Sequence, residues 1–187
     1  MRWILETAAL LAALALIGVL LHAGYRHFMR TAYPCAYAEL VEEQARVTGL
    51  EPSLLYAIIR TESDFHPEAV SSAGAVGLMQ LTADTFMWAQ SRTEEAETLE
   101  AEQLFDPTVN IRYGALVLTL LEEQFPNRET AIAAYNAGIG NVRKWLRDEA
   151  CSKDGVTLYS IPFAETRDYV RRVLDAQKMY QELYDMA

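Results

Sequence analysis

Residues 54–82 constrain the fold most, because here an apolar helical run leads straight into an acid and then into a loop of small residues. Leu54, Leu55, Ile58 and Ile59 recur at helical spacing, and Glu62 follows four residues after Ile58 and three after Ile59. Its carboxyl therefore lies on or beside the stripe that must face a core. A carboxylate there is costly unless it is held or used. Pro52 is tolerated in the first turn of this helix, and Pro67 disfavours helical geometry just before it, so the helix stops near Asp64 to His66. In the small-residue loop 70–77, Gly74 and Gly77 let the backbone approach a ligand or another strand closely. Helix is expected to resume over 78–88, with Thr82 or the turn before it near the start.

The remaining chain is also helical in pattern. Tyr37, Leu40, Val41 and Ala45 mark a helix over 37–47 that ends at Gly49. Glu94, Glu95, Glu97, Glu100 and Glu102 form a charge run whose simplest reading is a solvated segment. Ile111, Ala115, Leu118, Leu121 and Phe125 predict an amphipathic helix over 110–125. Further helices are expected over 128–135, 142–146 and 165–184, with a small-residue break at 136–141 and a loop at 153–155. No segment shows strand alternation, so an all-α fold is expected.

Residues 3–23 are almost uninterrupted Ala, Leu, Ile and Val, with Glu6 and His22 as polar exceptions near the ends. A helix of this length spans about 31 Å, enough to cross a hydrocarbon core. Cleavage after Ala23 would leave Leu21 at −3, where a signal peptide has a small residue, so an uncleaved anchor is favoured over a secretory signal. The expected division is 1–31 for the anchor and a short linker, then 32–187 for one globular domain. Arg26 and Arg30 compete with Arg2, so charge fixes orientation poorly. The formal charge of −10 and the lack of clustered Lys and Arg exclude a nucleic-acid surface.

Four motifs in order carry a resemblance: Glu62-Ser63, Gly77-Leu78-Met79-Gln80-Leu81, Ala134-Tyr135-Asn136-Ala137-Gly138, and the run from Ile161 through Glu165 and Tyr169 to Val170. Together they resemble the soluble lytic transglycosylase catalytic domain, which is similar to goose-type lysozyme and shares the lysozyme-like fold. The resemblance implies cleavage of the β-1,4 bond between N-acetylmuramic acid and N-acetylglucosamine in bacterial peptidoglycan, closing a 1,6-anhydro end without water. Glu62 would be the single general acid and base. Ordinary glycosidases need a second carboxylate, yet Asp64 would point about 200° away on a helix, and Glu68 and Asp84 read as solvated acids. The resemblance implies that the substrate's own 2-acetamido group removes that need.

By the same resemblance Ser71, Gln80, Tyr135, Asn136 and Glu165 would line the sugar site, and Tyr169 would steer or solvate the acid. Without it, Glu165 reads as a helix-start acid favoured by the dipole and Tyr169 as core. Thr82 stands where many relatives have Met, so a sulfur contact to the sugar is absent. The implied partners are glycan strands, the membrane through the N-terminal helix, and wall or secretion machinery, with the catalytic domain outside the cytoplasm. Two other readings stay open: a muramidase that uses water, and a non-catalytic glycan-binding scaffold. No cofactor is expected, and His22, His27 and His66 lack metal-ligand spacing. An outward-facing domain permits Cys35 and Cys151 to pair, closing about 116 residues and stabilising by roughly 4 to 5 kcal/mol in the chain-entropy model. Sequence leaves that pairing open.

Overall fold

A computed structural model describes residues 2–93 and 99–186. Glu94, Glu95 and Glu97 of the charge run lie outside the described residues. The chain divides into two compact units, residues 1–34 and 35–187.

The first unit is one helix, α1 (Arg2–Ala32). Its segment Glu6–Ala32 is long and apolar enough to cross a membrane. Leu10, Leu14, Ile17, Leu20 and Leu21 all point outward, an apolar surface that calls for an apolar surrounding. The short linker expected to follow the anchor from about Arg26 is instead helical as far as Ala32. Nothing between Tyr25 and Thr31 breaks a helix, and the first obstacle is Pro34, which disfavours helical geometry at Tyr33.

The second unit contains α2 (Ala38–Thr48), α3 (Pro52–Ser63), α4 (Ala83–Gln90), a 3₁₀ turn (Ala101–Phe105), α5 (Pro107–Gln124), α6 (Arg128–Ala137), α7 (Ile139–Leu146) and α8 (Ala164–Tyr184). Only isolated bridges, Val70 with Val76 and Val76 with Leu81, interrupt the helical architecture among the described residues. Gly49 caps α2 in the left-handed region at φ 78°, and Pro52 opens α3, as their positions predict.

The centre of the fold is α3. Every residue from Ser53 to Ile59 is buried, so this helix has no solvated face and is enclosed rather than amphipathic. It packs most extensively against α8 and also against α2, while α5 bridges α2, α4 and α6. Tyr56 stacks on Tyr180 of α8 with ring centroids 5.3 Å apart, an arrangement that adds about 0.5–1.5 kcal/mol beyond area burial. At the start of α3, Glu51 accepts hydrogen bonds from Arg128 Nη1 (2.6 Å), Gln177 Nε2 (2.8 Å) and Gln181 Nε2 (3.1 Å). Arg128 also pairs with Glu122 at 3.1 Å, so Glu51, Arg128 and Glu122 together tie α3, α5, α6 and α8. Burial pushes the Glu51 carboxyl up, but Arg128 and the two amides outweigh it and hold it below the usual value.

Two expected elements differ. Residues 78–81 are not helical: Gly77 at φ 80° and Gln80 at φ 49° turn the chain, and α4 begins only after Thr82, whose hydroxyl accepts the Thr85 N–H at 3.2 Å. The break at 136–141 shrinks to Gly138 alone, which ends α6 and starts α7. No disulfide joins Cys35 and Cys151. Cys35 lies within electrostatic reach of Tyr56 and Tyr180. Cys35 is half-buried, whereas Cys151 is buried in the turn after α7, where its carbonyl accepts the Tyr159 N–H at 3.0 Å.

Candidate active site

Glu62 sits in the last turn of α3, one turn beyond the enclosed run. The helix cannot continue, because Asp64 and Phe65 take φ values of 49° and 64°, a left-handed pair that non-glycine residues adopt at a cost. Ser63 fastens this corner by donating to the Ile59 carbonyl (3.1 Å) and to the Leu78 carbonyl (2.8 Å) of the next loop. The carboxyl is thereby held at the mouth of the core instead of being carried into solvent.

The loop that follows folds on itself. Ser71 Oγ accepts the Ala75 N–H at 3.0 Å, Val76 and Leu81 exchange backbone bonds, and Gly77 N–H reaches the Ala69 carbonyl at 2.9 Å. Asn110, fully buried on α5, pins it from below: its Oδ1 accepts the Met79 N–H (2.7 Å), and its Nδ2 donates to the Val76 and Leu104 carbonyls (2.9 and 2.8 Å). A side chain at Gly77 would collide with the Asn110 amide and the Leu104 carbonyl. Gly77 thus serves close protein packing, whereas Gly74 meets nothing.

Gln80 clips the loop through its own amide, with Nε2 donating to the Ala69 (3.1 Å) and Gly77 (2.9 Å) carbonyls. Both bonds use its donor nitrogen, so its Oε1 is the atom left to face a ligand. Tyr135 of α6 donates to the Met79 carbonyl at 2.8 Å, fixing the opposite wall to the same loop. From α8, the buried Tyr169 donates to Glu62 Oε1 at 2.6 Å.

These elements enclose a cleft of about 460 Å³ lined by Glu62, Ser71, Gln80, Leu81, Thr82, Thr85, Val117, Tyr135, Asn136, Gly138 and Glu165 among others. It brings together Ser71, Gln80, Tyr135, Asn136 and Glu165 with the acid, and Tyr169 reaches that acid by its hydrogen bond. Asp64, Glu68 and Asp84 are exposed and do not line it; Glu165 is its other carboxyl. Asn110, Ser63 and Arg172 carry parts that sequence reasoning missed. A polar residue within the apolar stripe of α5 was the available signal for Asn110.

Burial pushes the Glu62 carboxyl up to about 7 against two opposing influences, the Tyr169 hydrogen bond and the charge of Arg172. Its place at the C-terminal end of a helix acts in the same direction as burial. Tyr135 and Tyr169 are pushed well above the ordinary phenol value, by burial first and then by the neighbouring Glu62 charge, so both stay neutral donors. The result is a carboxyl that can hold or release a proton near neutrality, aimed by one phenol across a walled groove. Among the described residues no cluster of His, Cys, Asp and Glu is arranged to hold a metal.

Residues 39–155 match the family model described as the transglycosylase SLT domain. The soluble lytic murein transglycosylase of Salmonella typhimurium is 38% identical over 151 residues, which are 80% of this chain and 23% of that protein. The membrane-bound lytic murein transglycosylase C of Salmonella paratyphi B is 33% identical over 166 residues, 78% of this chain and 46% of that protein. The chain thus spans about a quarter of the length of the soluble relatives and under half of the membrane-bound ones. The structure of an inactive mutant of lytic transglycosylase Slt from Pseudomonas aeruginosa superposes with a TM-score of 0.75 at 38% identity, covering 84% of this chain and 26% of that one. The 70 kDa soluble lytic transglycosylase of Escherichia coli gives 0.73 at 32% identity, covering 83% and 25%. The helical architecture is the lysozyme-like one these neighbours share, and the chain belongs to the transglycosylase SLT domain family.

Proposed function

We propose that the chain is a peptidoglycan lytic transglycosylase with Glu62 as its single general acid and base. The observation that carries this reading is the Glu62 carboxyl, pushed up to about 7 by burial and hydrogen-bonded to Tyr169 at 2.6 Å at the edge of a glycan-sized cleft. Protonated Glu62 donates to the glycosidic oxygen as the bond from that oxygen to the anomeric carbon of N-acetylmuramic acid breaks. The 2-acetamido group supports the anomeric carbon from the opposite face. The carboxylate then takes the proton of the sugar's 6-hydroxyl while that oxygen bonds to the anomeric carbon. Glu62 is restored, no water is consumed, and a 1,6-anhydro end remains. Proton transfer of this kind contributes about 10²- to 10⁴-fold.

Gln80 Oε1, Ser71, Asn136 and Tyr135 are assigned to the sugar and acetamido groups by their place on the cleft walls. Family relatives named for murein transglycosylase activity support the substrate class. The membrane-anchored setting rests on the apolar helix Glu6–Ala32 and the outward-facing one on the proposed peptidoglycan substrate, and the full chain is expected to stay with carbonate-washed membranes. A hydrolytic second reading draws on Glu165, the other carboxyl of the cleft, which could activate water. Digesting purified peptidoglycan and weighing the products decides: anhydro ends are lighter by one water than reducing ends. Reducing ends overturn the transglycosylase assignment, and Glu62→Gln that digests as well as the native chain overturns the catalytic one.

A further inference from the structure

A second groove lies on the opposite face of α8 from the Glu62 cleft. Arg167 follows Glu165, and Arg171 follows Tyr169, by two positions, about 200° round the helix. Both arginines line a hollow of about 380 Å³ between α8 and residues 158–161, and among the described residues it shares no lining side chain with the cleft. The segment is fixed in place: the Leu158 N–H reaches Thr130 Oγ1 of α6 at 3.3 Å, and the Tyr159 and Ser160 N–H groups share the Cys151 carbonyl at 3.0 and 3.3 Å. Buried Leu158 and Val170, with half-buried Ile161 and Leu174, make the floor apolar. The rim carries charges of both signs. Arg167 donates to the Ile161 carbonyl at a long 3.4 Å, and Arg171 meets Asp168 at 3.1 Å in an exposed ion pair, which is worth little in water. Asp175, one turn beyond Arg171, and Glu129, in the first turn of α6, line the same groove, and among the described residues neither pairs with a cation. From Arg167 to Asp175 the groove runs about 12 Å along α8, the span of about four extended residues. Its complement is a short peptide with small apolar side chains, carboxylates toward the arginines and an ammonium toward Asp175 and Glu129. The stem peptides of peptidoglycan have this chemistry, since alanines flank an acidic residue and a diamino acid.

Resting on the proposed peptidoglycan substrate, we propose that this groove on the back of α8 docks a stem peptide, separately from the glycan held at Glu62. The probe is a sugar-free stem tetrapeptide, alanyl-glutamyl-diaminoacyl-alanine, titrated calorimetrically into the full chain. Arg171→Glu and Asp175→Lys are each expected to weaken its binding by tenfold or more, while Arg171→Lys keeps most of the affinity. Acetylating the free amine of the peptide should weaken binding to the native chain and matter less to Asp175→Asn. Glu62→Gln should bind the tetrapeptide as the native chain does, peptide-free glycan strands should not displace it, and Arg171→Glu should cleave those strands at the native rate. Thermal melting confirms that each variant is folded. A tetrapeptide that fails to bind, that Arg171→Glu binds equally well, or that peptide-free glycan displaces overturns the groove and leaves the proposed activity standing. Binding indifferent to acetylation overturns the stem-peptide occupant in favour of an acidic segment of a partner protein. Absence of cleavage by the native chain counts against the proposed activity alone, because the titration reads the groove independently.

Discussion

Tyr169 donates its hydroxyl to Glu62 Oε1 at 2.6 Å across 107 residues of sequence. The bond favours the ionised carboxylate, and burial favours the protonated one, with burial the larger effect. A general acid must carry its proton at the start of the reaction, so activity is expected to fall as pH rises through about 7. Tyr169→Phe removes an opposing influence, and the alkaline limb of the pH–rate profile should move upward by about one unit while kcat falls. A downward or absent shift would contradict the assignment of that bond.

The same carboxyl lowers stability in alkali. Its folded pKa, about 7, lies above the unfolded value near 4.5, so the folded state holds the proton more tightly. The carboxyl therefore costs nothing below about 4.5 and progressively destabilises the fold as pH rises to about 7 and beyond. Glu62→Gln should be more stable than the native chain by about 2–3 kcal/mol at pH 8, with the difference vanishing near pH 4. Urea unfolding at both pH values measures it.

Glu51 has the opposite sign. Its folded pKa is depressed, so it contributes stability above the ordinary carboxylate value, which is lost as pH falls through the depressed one. Glu51→Gln should destabilise the fold at pH 7 by about 1 kcal/mol, and the deficit should shrink in acid. Denaturation midpoints from pH 3 to 7 show whether it does.

Asn110 bonds three backbone groups, the buried Met79 N–H and Leu104 carbonyl and the half-buried Val76 carbonyl. Asn110→Ala orphans the Met79 N–H and the Leu104 carbonyl, while the Val76 carbonyl keeps the Leu81 N–H, and should cost about 3 kcal/mol. Because that loop carries Gln80 and receives Tyr135, KM should rise in whatever fraction remains folded. Thermal melting paired with steady-state kinetics separates the two effects.

Cys35 and Cys151 form no disulfide. Unfolding without reductant should release two titratable thiols per chain, and the same number after reduction; a gain on reduction would show a bridge.

Much of the fold was legible in sequence because helices announce themselves locally. The caps at Gly49 and Pro52, the length of α8 and the apolar α1 each follow from residues within one or two turns. Glu62 stood out for the same reason, as an acid one turn past an apolar run. The motif resemblance then named its companions without placing them. Residues 78–81 were misread as helix because their apolar spacing is helical, while Gly77 and Gln80 take positive φ values that tertiary bonds to Asn110 and Ala69 stabilise.

What sequence determined by itself, then, was the helical class, the apolar N-terminal span and the candidate acid, since each depends on neighbours along the chain. Tertiary structure decided the state of that acid. The Glu62 proton equilibrium depends on Tyr169, Arg172 and the degree of burial, and the cleft walls depend on α6 and α8 folding back over a loop fastened by Asn110. Desolvation and hydrogen bonding act across a few ångströms of space, and only the folded chain brings groups 107 residues apart within that range.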